Sequence, residues 1–168
     1  MKKRPLCAAL LSAALLLGLA GCGGEAQTVE PAVTVEGTEI SGETAVADVL
    51  ALLGGEYEYY EAISCVYDGM DKTYTYGDCV LYTFPDGDTD RLMELYCTGG
   101  DVSAQGITFG SSRDAVVETF GDGYVEEGSL LSYETAPASA NNTPASLYFE
   151  LDGGSVTAIG ITAEHRSQ

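Results

Sequence analysis

The chain has no tryptophan, one histidine, and seven lysines and arginines against 26 aspartates and glutamates, a formal net charge of −19. Cations this sparse argue against nucleic acid as a partner, because that affinity is assembled from clustered Lys and Arg. They argue equally against docking on anionic lipid or acidic polymer. The histidine, His165, stands in a polar C-terminal stretch where no Ser-His or Cys-His pair assembles around it. No C-x-x-C spacing occurs, so zinc sites and thioredoxin-like exchange have no framework. Beyond residue 22 there is no apolar run of the roughly 20 residues that a membrane helix needs. Carboxylates are abundant, with Glu56, Glu58 and Glu61 crowded together, but in so acidic a chain such pairs do not single out a glycosidase. The expectation is a protein that is not an enzyme and takes no cofactor. Its surplus of carboxylates suits a positively charged partner or a divalent cation, or simply keeps an exported domain soluble.

What is present begins with Met1-Lys2-Lys3-Arg4, an apolar run from Leu6 to Leu17, and Leu19-Ala20-Gly21-Cys22. A basic start, a short apolar stretch and small residues at a cut mark a secretory signal. Leu-Ala-Gly-Cys resembles the lipobox of bacterial lipoproteins. That resemblance implies a diacylglyceryl thioether on Cys22, cleavage before it, and loss of residues 1–21. Membrane lipid would then be a partner through Cys22, and the location extracytoplasmic, on the bacterial cell membrane. Each buried CH₂ contributes about 0.8 kcal/mol, and firm anchoring takes more than one acyl chain, which a lipoprotein has. Gly23 follows the cysteine, so the aspartate of inner-membrane retention is missing. The alternative is an ordinary signal with a chance cysteine. Residues 22–36, small and with Pro31, read as a flexible tether. Residues 37–165 read as one domain.

From Ile40 onward the chain repeats itself, in units of about 37–99 and 100–165. Ile40 through Leu53-Gly54 lines up with Ile107 through Phe120-Gly121. Leu81-Tyr82 falls on Leu147-Tyr148, Asp86-Gly87 on Asp152-Gly153, and Met93 and Leu95 on Ile159 and Ile161. Each unit opens with a helix. Val46, Val49, Leu50 and Leu53 form the stripe of the first, stopped by Gly54-Gly55. Val116, Val117 and Phe120 form that of the second, with Ser111 as N-cap, Asp114 as its capping partner and Gly121 as the left-handed stop. Strands follow: Glu56–Tyr67 and Lys72–Tyr76 around Asp68-Gly69, Cys79–Phe84 and Leu92–Thr98 around the loop Pro85–Asp90, then Leu130–Thr135, Ser146–Leu151 and Val156–Thr162. Residues 136–145, with two prolines, read as a loop.

Period two fixes what each hairpin pairs. If Cys79 faces Cys97, Leu81 faces Leu95 and Thr83 faces Met93; likewise Leu147 faces Ile161 and Phe149 faces Ile159. These share one face, expected to be the core beneath both helices. Val80, Tyr82, Phe84, Leu92, Tyr96 and Tyr148 then belong to the open face. Cys79 and Cys97 are spaced for a disulfide, with two buried thiols as the alternative and Cys65 free and buried. Asp86, Asp88 and Asp90 alternate like half a calcium loop, but Arg91 and Cys97 stand where that loop needs Gly and Glu, so a solvated tip is the plainer reading.

Gly106, Ile107, Gly110, Ser112, Val116, Phe120 and Gly121, a Gly-Ile-x-x-Gly-x-Ser entry to a helix closed by Phe-Gly and repeated in tandem, resemble the β-lactamase-inhibitor-protein-like fold. Ser64-Cys65 to Gly69 and Asp71-Lys72-x-Tyr74-x-Tyr76 resemble a pattern in lipoproteins of gut clostridia. The resemblance implies an α+β domain: two tandem helix-plus-antiparallel-strand repeats forming a sheet with the helices on one face, binding proteins through the open face. The expected binding face is Tyr82, Tyr96 and Tyr148 with Phe84, Tyr74 and Tyr76, since tyrosine gives large contact area at low entropic cost. The alternative is cross-strand pairs that merely stabilise the sheet, at about 0.2–1 kcal/mol each. The functional expectation is a non-catalytic module for an unknown protein or peptide. Rival readings are an envelope assembly or structural lipoprotein and a cation- or small-ligand-binding one.

Overall fold

The computed structural model describes residues 29–166. The signal at 1–21 and Cys22 lie outside them. In chain order the elements are β1 (Ala32–Val35), β2 (Thr38–Ser41), α1 (Val46–Leu53), β3 (Glu58–Ile63), β4 (Met70–Thr75), β5 (Cys79–Asp86), β6 (Thr89–Cys97), β7 (Val102–Ser103), α2 (Arg113–Phe120), β8 (Val125–Glu127), β9 (Leu130–Glu134), β10 (Asn142–Thr143), β11 (Ser146–Asp152), β12 (Ser155–Thr162) and β13 (His165–Arg166). The fold is mixed and sheet-dominated. Eight strands form one antiparallel sheet in the order β3-β4-β5-β6-β12-β11-β9-β8. A three-stranded sheet, β2-β1-β7, and the short pair β10-β13 accompany it.

Up to a bulge in each, both hairpins keep the register that period two demands. Cys79 pairs with Cys97 and Leu81 with Leu95; Leu147 pairs with Ile161 and Phe149 with Ile159. These side chains, the helix residues Val46, Val49, Val116 and Phe120, and Val33, Val35 and Ile40 of the small sheet form one buried cluster. Burying a side chain of this size contributes about 1.5–3 kcal/mol relative to exposure, so each helix is held by its stripe, not by its eight residues of propensity. Gly54, at φ 65°, ends α1 by donating to Leu50 O, and Gly121, at φ 83°, ends α2 by donating to Val117 O.

Several expectations are corrected. Residues 32–35 are not tether: Val33 and Val35 are buried because β1 lies between β2 and β7. The N-cap of α2 is Ser112, whose Oγ accepts from Ala115 N at 3.2 Å, while Ser111 Oγ accepts from Thr108 N. The loop 85–90 is a tight tip, with Pro85 paired to Asp90 and Asp86 to Thr89. A bulge at Met93 sets Thr83 opposite Leu92 and turns Leu92 from the open face into the core. Residues 136–145 hold β10, which pairs with β13. Cys79 and Cys97 are disulfide-bonded, Cα to Cα 4.1 Å. Cys65 is free but exposed, because it lies in the turn after β3 and not in a strand.

Candidate functional site

The face opposite the core cluster is built around Gly160. Strand β12 lies between β6 and β11, so Tyr96, Gly160 and Tyr148 form one row across three strands. A side chain at residue 160 would occupy the space of Tyr148: a Cβ placed there would stand 2.3 Å from Cζ of that ring. Without it, the Tyr148 ring lies flat over the strand and its hydroxyl donates to Glu94 at 2.5 Å. Tyr96 reaches the opposite way and donates to Glu150 at 3.2 Å. The two rings stack with centroids 6.5 Å apart. Glu94-x-Tyr96 on β6 and Tyr148-x-Glu150 on β11 thus clasp each other across β12.

Above them runs an open groove of about 420 Å³, lined by Tyr82, Glu94, Tyr96 and Tyr148, with Ser132, Ser146 and Thr162 among its walls. Burial, then the Glu94 bond, pushes the Tyr148 phenol well above its ordinary range. Burial, then the charge of Glu150, raises Tyr96 as well. Both phenols therefore stay protonated and act as donors, which leaves two carboxylates as acceptors at the groove. Such a surface offers ring faces, hydroxyls and negative charge, the features that hold a polar or cationic side chain.

Of the expected binding residues, Tyr82 and Tyr96 line the groove half-buried. Tyr148 lines it too, but buried as its floor. Phe84 is buried away from it, stacked on Tyr67 at 4.7 Å and 6.2 Å from the His165 ring. Tyr74 and Tyr76 belong to the core cluster, because Tyr74 pairs with Leu81 and so shares the face of Leu81. The aspartates of the hairpin tip do not converge. Asp90 holds Lys72 at 2.7 Å, and Arg91 stands 3.9 Å from Asp86. Among the described residues no three His, Cys, Asp or Glu side chains are grouped to hold a metal ion.

Sequence reading missed Glu94, Glu150 and Gly160. A mid-strand glycine was the available signal, since such a residue marks a close approach. It read Glu56–Tyr67 as a strand but missed that this strand is the outer one, with Tyr57, Tyr59, Tyr60 and Ile63 exposed. No family model, curated protein or solved structure matches the chain.

Proposed function

We infer that the chain is an extracytoplasmic lipoprotein, anchored through Cys22, whose folded part is a non-catalytic module that binds an extended protein or peptide segment on the open face of its sheet. The reading rests on one observation, the Tyr82–Tyr96–Tyr148 groove with Glu94 and Glu150 at its walls. An open trough suits a segment passing through it, whereas a small-molecule site encloses most of its ligand. The proposal extends to the architecture: two copies of a helix-plus-strands unit, of the β-lactamase-inhibitor-protein-like kind, with both helices on one side. In its support, α1 precedes β3, β4, β5 and β6, α2 precedes β8, β9, β11 and β12, and the strand order runs from β3 inward to β6 and from β12 outward to β8.

A photo-crosslinking residue at position 82, in the full chain in its own membrane, tests the binding reading. A discrete crosslinked protein, lost when Tyr96 is also replaced by Ser, supports it; crosslinking to lipid or to nothing sinks it. Cys22→Ser tests the anchor: the protein should leave the membrane fraction, and retention there refutes lipidation.

A further inference from the structure

The large sheet has two free edges, and they are finished differently. At one end β8 has three residues, Val125–Glu127, and its Glu126 accepts from Arg113 at 2.9 Å. Shortness and charge are the usual guards against unwanted pairing. At the other end β3 has six residues, Glu58–Ile63, with no proline, no lysine and no strand among the described residues on its outer side. Among the described residues the exposed large hydrophobic ones are Tyr57, Tyr59, Tyr60, Ile63 and Val125, so four of these five belong to this one edge. Tyr60 is 68% exposed and Ile63 81%. An exposed apolar cluster of this kind marks an interaction surface.

The edge is also preformed. Tyr57 packs against Tyr74 and Tyr76 with ring centroids 5.3 and 5.4 Å apart, and Tyr59 against Tyr74 at 5.2 Å. A hollow of about 830 Å³ opens beside them, lined by Gly55–Glu58 and Thr75–Gly77. Tyr76, on its wall, is nine-tenths buried, yet its hydroxyl has no hydrogen-bond partner. Buried phenols ordinarily find one.

Both sides of β3 carry an acid beside exposed apolar surface. Tyr59, Glu61 and Ile63, opposite Tyr74, Lys72 and Met70, share one side, where the Tyr59 hydroxyl donates to Glu61; Glu58 and Tyr60, opposite Thr75 and Thr73, stand on the other. Among the described residues each of the four cations is already engaged. Lys72 is on Asp90, Arg91 on Glu43, Arg113 on Glu126, and Arg166 over the Tyr67 ring. A second copy would meet this acidic edge as a chain that itself has a net charge of −19.

We propose that β3 is a strand-addition edge that takes an extended segment of a partner protein in which lysine or arginine is interspersed with apolar residues. The segment joins as a ninth strand. Its main chain satisfies the free donors and acceptors of β3. Its basic side chains lie against Glu58, Glu61 and the Tyr60 ring, and its apolar ones against Tyr59 and Ile63. This surface is independent of the groove, so either reading can fail alone.

The test is amide hydrogen exchange and titration calorimetry of the full protein, purified with its anchor in detergent, with an acetylated Lys-Val-Lys-Val-Lys-Val-Lys peptide. Binding should slow exchange along residues 58–63. Tyr60→Lys with Ile63→Lys, both at exposed positions, should weaken binding at least about tenfold, as each tenfold loss is about 1.4 kcal/mol. The charge-matched control Val125→Lys with Asn141→Lys should bind like the parent. Protection located at the groove, equal binding by the edge variant, equal binding of the Glu-Val counterpart, self-association through β3, or no binding would each overturn the proposal.

Discussion

Tyr148 and Tyr60 both stand on the side of the sheet opposite the core cluster, yet Tyr148 is 6% exposed and Tyr60 is 68% exposed. Alternation along a strand assigns the side; the neighbours on adjoining strands assign the exposure. Tyr148 has Gly160 beside it, a strand beyond that, and Glu94 to receive its hydroxyl. Tyr60 has Thr73 on one flank and nothing in the described chain on the other. The inner tyrosines are therefore structural as well as groove-lining, while the outer ones leave their rings exposed without holding the domain together.

The strongest way to break this contrast is to delete each ring. Tyr148→Ala should cost about 3–5 kcal/mol, the range for removing a buried aromatic, and Tyr60→Ala no more than about 0.5 kcal/mol; urea unfolding of both variants measures the difference. Equal costs would erase the distinction. Reducing the Cys79–Cys97 bridge, which closes a separation of 18 residues between β5 and β6, should cost about 3 kcal/mol by the loop-entropy argument. The loss should appear in the unfolding midpoint of the whole domain, not in a separate early transition of β3.

Gly160→Ala comes next. A methyl group there forces the Tyr148 ring away, at about 1–3 kcal/mol for overpacking. The accompanying signature is in alkali. The unfolded chain releases the Tyr148 proton near pH 10, whereas the folded protein keeps it because burial and Glu94 hold the pKa up. Stability is thus complete below about pH 10 and falls as pH rises past it. Gly160→Ala, which exposes the ring, and Tyr148→Phe, which removes the proton, should both flatten that decline. The smallest effect belongs to the edge. Tyr59 donates to Glu61, and that bond, followed by burial and the Glu61 charge, pushes its pKa up to about 12. Glu61→Gln should return Tyr59 toward the ordinary range in an ultraviolet titration while leaving the unfolding midpoint unchanged.

Much of the fold was legible because period two and two stop glycines act locally. The registers of Leu81 with Leu95 and of Leu147 with Ile161 follow once a hairpin is assumed. What was not legible depends on partners far along the chain. The bulge at Met93 moves Leu92 across the sheet, and a single extra residue leaves no mark on an alternating pattern. Tyr74 and Tyr76 were misassigned because their side is set by how β4 meets β5, across a turn whose length does not fix the register. Phe84 is on the expected side but lies under Tyr67, which arrives from the turn after β3. The mirrored Glu94-x-Tyr96 and Tyr148-x-Glu150 are 54 residues apart, and only the placement of β12 between them makes them a pair.

The seam between β6 and β12 consists of four pairs, from Ile159 with Cys97 to Thr162 with Glu94. Every other neighbouring pair in the sheet joins strands that are close along the chain. During synthesis, from the N-terminal end, the first meander is complete before the residues of β12 emerge. Until they arrive, β6 is a temporary rim, long and greasy on one side, and the closing of that rim is the late, slow event that long-range pairing imposes on folding. A chaperone or a neighbouring molecule that reached the rim first would compete with the second half of the same chain.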